Sequence, residues 1–372
     1  MRQSLVGFVA REIAPHVLEW EQAGEVPREL FRKLGDLGAL GLRLSPEFGG
    51  GGHDFWFTTV LVQELMRCGA IGVPVAVVAH AEFATMLIDR WGSPALRARY
   101  VRAAAEGRLL GALGVSEPNA GSDVAALGTR AVRDGDEYVI NGTKLYITNG
   151  TIADYITTAV RTGGPGHRGI SVIVVPADSK GLTRRRIRKL GTHASDTAEL
   201  FFDNCRVSAD HLVGEENDGF RLIMSGFEGE RLVLAVIACC HARLMLDEAR
   251  KWGHQRRTFG RPLLNNQVWQ HRFADLLTRI EAAEVLTYRG IDQYVGGVAA
   301  QSEISMAKLF ATETALDVAR ECSQFQGGLG YMEECLMARL HRDALALTIG
   351  AGTSEMMRDI IARKNDLVAG AE

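Results

Sequence analysis

Two carboxylates stand two residues apart in the stretch "FEGERLVLAVI", Phe227 to Ile237. On a helix, positions two apart differ by about 200° around the axis, so Glu228 and Glu230 cannot share a face. The neighbours of Glu230 at helical spacing are Ile223, Phe227, Val233, Leu234 and Ile237, all apolar. Those of Glu228 include Ser225 and Arg231. A carboxylate in an apolar stripe is costly to ionise, and desolvation raises its pKa. A general base working near neutral pH needs that property. The competing reading is a buried glutamate paired with a basic residue for structure. Gly229 weighs toward the first reading. A glycine inside a helix costs about 1 kcal/mol against alanine, which suggests a close approach by a backbone or a ligand. Glu228 and Arg231 would line a passage, or else form a surface ion pair worth roughly a few tenths of a kcal/mol.

Other stretches could hold a ligand. "GALGVSEPNAGSD", Gly111 to Asp123, carries small residues that leave backbone N–H groups free to face an anion or a ring edge; a plain polar connection fits as well. It is not G-x-G-x-x-G and no strand–helix unit surrounds it, which argues against a Rossmann site. In "KLYITNG", Tyr146 and Thr148 share a strand face and could hold a flat heterocycle, or simply be half-buried. "QRRTFGRPLLNNQ" and the Gly-rich "QFQGGLGY" offer arginines and open backbone that suit a pyrophosphate, or are a helix end and a turn. "TIGAGTSEMM", Thr348 to Met357, has no catalytic side chain before Glu355. The run "RRRIRKL", Arg184 to Leu190, reads as a solvated face rather than an anion patch.

The elements that must position these residues follow from pattern. Residues 1–110 read as helices: "LVGFVAREIAPHVLEWEQ" as one ending near Gly24, then "PRELFRKLGDLGALGL", opened by Pro27, and three more. Residues 111–213 alternate and carry Asp-Gly and Asn-Gly pairs expected to turn hairpins. Residues 214–372 return to helical period, beginning with one long helix from Gly219. The predicted fold is mainly α with a central β domain. The 372 residues are 47% hydrophobic with a net charge of −3, so no nucleic-acid footprint appears. Six cysteines without a C-x-x-C pair or a His cluster predict no zinc or other metal site. No secretory pattern starts the chain, and no apolar stretch reads as the ~20 residues of a membrane span, so a reducing cytoplasm is the expected compartment.

Taken in order and spacing, "VSEPNAGSD", "YITNG", "RRTFG", "QFQGGLGY" and "GAGTSE" resemble the acyl-CoA dehydrogenase family, over nearly the whole chain from about Leu5 to Asp366. The resemblance implies a helical N-terminal domain, a β-barrel-like middle domain and a C-terminal four-helix bundle. It also implies a homotetramer, a dimer of dimers, with one FAD per subunit. The activity implied is oxidation of an acyl-CoA thioester to trans-2-enoyl-CoA, with electrons passed to an electron-transfer flavoprotein. Carried over by position, Leu113, Val115, Ser116, Gly121 and Ser122 lie along the flavin, with Ser122 also on the CoA side. Tyr146, Ile147 and Thr148 pack on the isoalloxazine. Arg256, Phe259 and Gln267 meet FAD, as do Gln324, Gly327 and Gly328 of a neighbouring subunit, and Thr353, Ser354 and Glu355. Arg168 reaches for the CoA phosphates, and Glu228 and Arg231 line the acyl or CoA passage.

Many members place the catalytic glutamate directly before Gly-Thr; here that position is Ala351. "GERLVLA", Gly229 to Ala235, resembles the segment that supplies the base in the isovaleryl-CoA and long-chain branches, which makes Glu230 the catalytic residue. The Ala351 N–H then serves as the donor to the thioester oxygen, and Gly352 and Thr353 hold substrate and flavin. Two alternatives keep the fold: a flavin-binding partner subunit of a hetero-oligomer, and an oxidase or carrier-protein-thioester dehydrogenase.

Overall fold

The computed structural model describes residues 1–368; the last four of the expected 214–372 region lie outside the described residues. The N-terminal part is helical. The expected single helix before Gly24 is instead broken: Arg2–Phe8 widens into a π turn at Val9–Ile13, tightens to a 3₁₀ turn at Ala14–His16, and resumes at Val17–Ala23. Pro15 is the cause, because it offers no N–H to the preceding turn. Gly24 closes the segment at φ 80°.

Helices Phe55–Leu65, Gly72–Val78, Met86–Trp91 and Pro94–Ala105 follow, with a π-helical stretch at Ala79–Thr85. Gly72–Trp91 corrects the reading that no apolar run is long enough to cross a membrane. It spans 20 residues at mean hydropathy 1.3, yet 83% of it is buried inside the protein. Its apolarity is that of a core helix, with Val73, Ala76 and Val77 inside the N-terminal core.

The central sheet has eight strands. Leu182–Arg186, Thr197–Ser208, Glu137–Thr148, Arg130–Asp134, Tyr155–Arg161, Ile170–Pro176 and Leu212–Val213 are neighbours in that order, and Gly111–Gly114 lies parallel to Tyr155–Arg161. Asp134 pairs with Glu137 around a Gly135–Asp136 turn, as the Asp-Gly pair predicts. Asn141–Gly142 does not turn. It stays within its strand as an irregularity, and a Cβ on Gly142 would lie 2.6 Å from the Thr129 Cα. A second irregularity falls between Lys144 and Ile147, where Tyr146 has φ 63°. It reverses which face is buried: Lys144 is inside and Tyr146 is 67% exposed.

The C-terminal bundle is built from Gly219–Gln255, Gln267–Val295, Gln301–Gln326 and the shorter Leu336–Leu347 and Ser354–Lys364. Small buried residues such as Ala307, Ala311, Ala315 and Ala319 let its helices pack closely. A hairpin that the sequence reading passes over joins the first two helices. Arg257–Thr258 pairs with Arg261–Pro262 across Phe259 and Gly260, both at positive φ (51° and 80°) as a type I′ turn requires. The basic run is tied internally: Arg184 to the Ala153 carbonyl at 2.9 Å, Arg185 to Glu199, Arg186 to Glu25, and Lys189 to the Thr192 carbonyl at 3.0 Å.

Candidate active site

Glu230 opens the fourth turn of the long helix, half-buried beside the buried Ile223, Val233 and Ile237 of the stripe that the periodicity predicts. Its carboxylate has no hydrogen-bond or ion-pair partner among the described residues, so the structural-pair alternative is not what the chain builds. Burial pushes its pKa from 4.5 up to about 8, against the pull of the adjacent Arg231. Glu228 is half-buried and forms no ion pair with Arg231 within the described residues. Gly229 is approached by side chains rather than by backbone. A Cβ there would meet the Tyr294 hydroxyl at 3.4 Å and the Phe55 ring at 3.6 Å.

The loop that carries Ala351 folds over this turn. Leu234, one turn beyond Glu230, would contact a Cβ on Gly350 at 3.4 Å. Arg231 Nε donates to the Ala351 carbonyl at 3.4 Å, and Lys308 Nζ donates to the Gly352 carbonyl at 2.7 Å. Burial lowers the pKa of Lys308 to about 8, helped by Arg231. Two cations thus hold consecutive peptides. Between them Ala351 has φ 51° and Gly352 φ 97°. A left-handed conformation costs an L-residue about 1–2 kcal/mol, so the surroundings must impose it on Ala351. The Ala351 N–H has no acceptor among the described residues. The sequence reading did not single out Lys308. Its signal was a lysine within the apolar series Ile304, Ala307, Ala311 and Ala315.

A second surface is built by the middle domain. Leu145 N–H donates to the Ser116 carbonyl at 2.8 Å, joining the "VSEPNAGSD" and "YITNG" motifs. Lys144, fully buried, clamps the loop through the Val115 carbonyl at 3.0 Å and Glu117 at 2.7 Å. Glu117 also accepts from the Gly128 and Thr129 N–H groups at 2.6 and 2.9 Å. Burial drives the Glu117 pKa up, but Lys144 and these donors prevail and hold it below the ordinary value. This pair too was missed. Leu113, Ser116 and Thr148 are half-buried beside the exposed Tyr146, Gly121 and Ser122. Val115 and Ile147 differ from expectation: their side chains are 7% and 2% exposed within domain cores, which leaves mainly their backbone for a ligand. Asp123 and the loop Gly163–Gly166 line a cavity of about 690 Å³ with Arg130 and Arg161; Arg168 follows that loop. The Arg161 side chain is occupied by the Leu127, Ala125 and Gly164 carbonyls.

A third group lies elsewhere. Arg256, Phe259 and Gln267 are exposed at the far end of the long helix, and Phe325 packs against Gly253, bringing Gln324, Gly327 and Gly328 near them. From Glu230 to Arg256 the helix runs 26 residues, about 39 Å.

Family models for the acyl-CoA dehydrogenase N-terminal, middle and C-terminal domains match residues 1–108, 112–205 and 217–365. The chain belongs to the acyl-CoA dehydrogenase family. The long-chain specific acyl-CoA dehydrogenase of Sus scrofa mitochondria is 35% identical over 368 residues, 98% of this chain and 85% of that protein. A probable acyl-CoA dehydrogenase from Mycobacterium abscessus has a solved structure that superposes with TM-score 0.95 at 43% identity, covering 98% of this chain and 97% of that one. A glutaryl-CoA dehydrogenase from Mycobacterium smegmatis, solved in complex with FADH2, superposes with TM-score 0.92 at 30% identity, covering 100% and 95%. As a member the chain is an FAD-dependent oxidoreductase acting on acyl-CoA, and the three-domain fold is that of the family.

The residues present fit the flavin. Ser354 Oγ is buried and has no partner among the described residues. A Cβ on Gly121 or Gly328 would meet nothing within 4 Å, so neither is glycine for the sake of packing within the chain. Thr353 has a structural task as well: its hydroxyl caps the helix Ser354–Lys364 by accepting from Met356 N–H at 3.3 Å. Glu355 is held ionised in that first turn by its own backbone N–H and the Thr353 hydroxyl.

Proposed function

We propose that this chain converts an acyl-CoA thioester to the trans-2-enoyl-CoA, with Glu230 removing the α proton. The observation that carries this reading is an unpartnered carboxylate of raised pKa one residue from Arg231, which grips the Ala351 loop. FAD, held along Ser116, Tyr146–Thr148 and Ser354, supplies the acceptor for the β hydride, and an electron-transfer flavoprotein takes the electrons onward.

The remaining chemistry belongs to the chain. An α proton of a thioester is weakly acidic, so the developing charge on its oxygen needs a donor. The free Ala351 N–H, aimed by the left-handed turn that Arg231 and Lys308 hold, meets that need. Glu230 accepts the proton, and the apolar residues around it keep its basicity matched to the task. The alanine therefore removes the usual carboxylate of this loop while keeping the oxyanion donor.

The third group of residues supports a homo-oligomer. About 39 Å along one helix is farther than one dinucleotide spans, so Arg256, Phe259, Gln267 and Gln324 of one copy would complete the cofactor site of another. A homotetramer satisfies this.

The test is anaerobic addition of straight and branched acyl-CoAs to the FAD-loaded protein. Bleaching of the flavin absorbance is expected in the native protein and none in Glu230→Gln, which should keep its FAD. Normal bleaching in Glu230→Gln would remove Glu230 from the base position.

A further inference from the structure

Beside the turn that carries Glu230 lies a buried polar group that the proposed reaction does not use. Arg43 lies between the helices Arg28–Asp36 and Phe55–Leu65, with its side chain 9% exposed. Its Nη1 donates to Glu82 at 2.6 Å. Glu82 sits on the π-helical stretch Ala79–Thr85, and its other oxygen accepts from the Thr58 hydroxyl at 2.6 Å. The guanidinium stands over the Phe55 and Tyr294 rings, 5.0 and 5.7 Å from their centroids. Phe55 and Tyr294 are the side chains that face Gly229. One turn earlier, a Cβ on Gly226 would meet only Leu87, at 3.9 Å. The turn that carries Glu230 therefore presents bare backbone toward the N-terminal helices. Arg43 stands one side chain away.

The donor count is unbalanced. A guanidinium has five N–H groups. One goes to Glu82 and one makes a long contact of 3.5 Å to the Tyr294 hydroxyl. The others have no acceptor among the described residues. The Arg43 Nε, which makes no hydrogen bond within the described residues, is not sealed off as the Nε atoms of Arg97 and Arg342 are. A donor left open beside the turn that carries Glu230 favours a ligand that accepts a hydrogen bond. The charge selects its type. Glu82 already neutralises Arg43, so a second carboxylate would bring an unbalanced charge into a desolvated site that also holds Glu230.

We propose that Arg43 is a specificity-determining residue that recognises a neutral oxygen, such as a hydroxyl, in the distal part of the acyl chain. This deepens the acyl-CoA reading and rests on it. A site that hydrogen-bonds a substrate oxygen discriminates strongly against the analogue without it, because its own polar group is then left unpaired.

The experiment compares kcat/KM of the FAD-loaded enzyme, with an artificial electron acceptor, for ω-hydroxyacyl-CoAs and unsubstituted acyl-CoAs of equal length from about C4 to C10. At one chain length the hydroxyl should raise kcat/KM by about tenfold or more. In Arg43→Met that ratio should fall to about one. Arg43→Met/Glu82→Gln leaves no buried charge unpaired and serves if the single variant does not fold. A ratio near one at every length overturns the proposal, as does a preference that survives loss of Arg43. A stronger preference for the ω-carboxyacyl-CoA overturns the assignment of a neutral oxygen. Failure of every acyl-CoA to bleach the flavin would instead overturn the acyl-CoA reading itself.

Discussion

Arg231 reaches from the long helix to the carbonyl oxygen of Ala351, 3.4 Å away in space and 120 residues on in sequence. Its chain neighbour Glu230 has no partner among the described residues. One residue thus anchors the loop while the next is left free to take a proton. The two are also coupled, since Arg231 lowers the Glu230 pKa while burial raises it. Arg231→Met should therefore do two things. The loop loses one of its two cationic ties, and kcat should fall roughly 10- to 100-fold with FAD retained. Glu230 loses the cationic neighbour that lowers its pKa, so the rising limb of the kcat/KM profile should move to higher pH. A variant with reduced kcat and an unmoved profile would separate Arg231 from the base.

The pH dependence of the native enzyme follows from the same carboxylate. Glu230 is active when ionised, so kcat/KM should rise through pH about 8 and level off above it. Stability should change in the opposite sense. The folded protein holds this proton up to about 8, whereas the unfolded chain releases it near 4.5. The contribution is fully present below pH 4.5 and is lost as pH rises to about 8. Glu230→Gln removes that titration, so its thermal midpoint should decline less than that of the native protein between pH 5 and 8. Equal slopes would mean that Glu230 titrates at its ordinary value when folded.

Lys308 is the other tie. It is fully buried and donates to the Gly352 carbonyl at 2.7 Å. Lys308→Met keeps the stem but leaves that carbonyl without its donor, a loss of about 1–3 kcal/mol read by denaturant unfolding. Because the same bond fixes the turn at Ala351, kcat should fall more than KM changes. A normal kcat at reduced stability would assign Lys308 to folding alone.

How much of this could be read from the sequence depended on distance along the chain. Glu230 was legible because its five neighbours lie within one helix, where period alone sets the face. The alternation between Lys144 and Tyr146 was not, because a strand irregularity and a positive φ at Tyr146 reverse it, and no local residue type announces that. The Asn141–Gly142 pair misled for a related reason. Its turn propensity yields to pairing with the strand Thr197–Ser208 and to the close pass of Thr129. Lys308 and Arg43 meet partners 44 and 39 residues away, and such pairings have no periodic signature. The family resemblance supplied the expected flavin positions, but not that the Ile147 side chain is turned into the middle-domain core.

The buried pair Lys144–Glu117 gives the last prediction. Lys144 joins the "YITNG" strand to the loop that begins "VSEP", and Glu117 passes that restraint on to the Gly128 and Thr129 N–H groups. Both surfaces assigned to the flavin thus depend on one ion pair. Removing either partner leaves an uncompensated charge in a site where Lys144 is fully buried, which typically costs about 3–5 kcal/mol. Lys144→Met should therefore lower the unfolding midpoint and the FAD content together, and added FAD should restore part of the midpoint because a ligand that binds only the folded form stabilises it. The double variant Lys144→Met/Glu117→Gln removes both charges. It should recover much of the stability but not the FAD content, since the loop then lacks the bonds that hold its backbone in place. Full recovery of FAD by the double variant would mean that the pair serves folding without shaping the flavin surface.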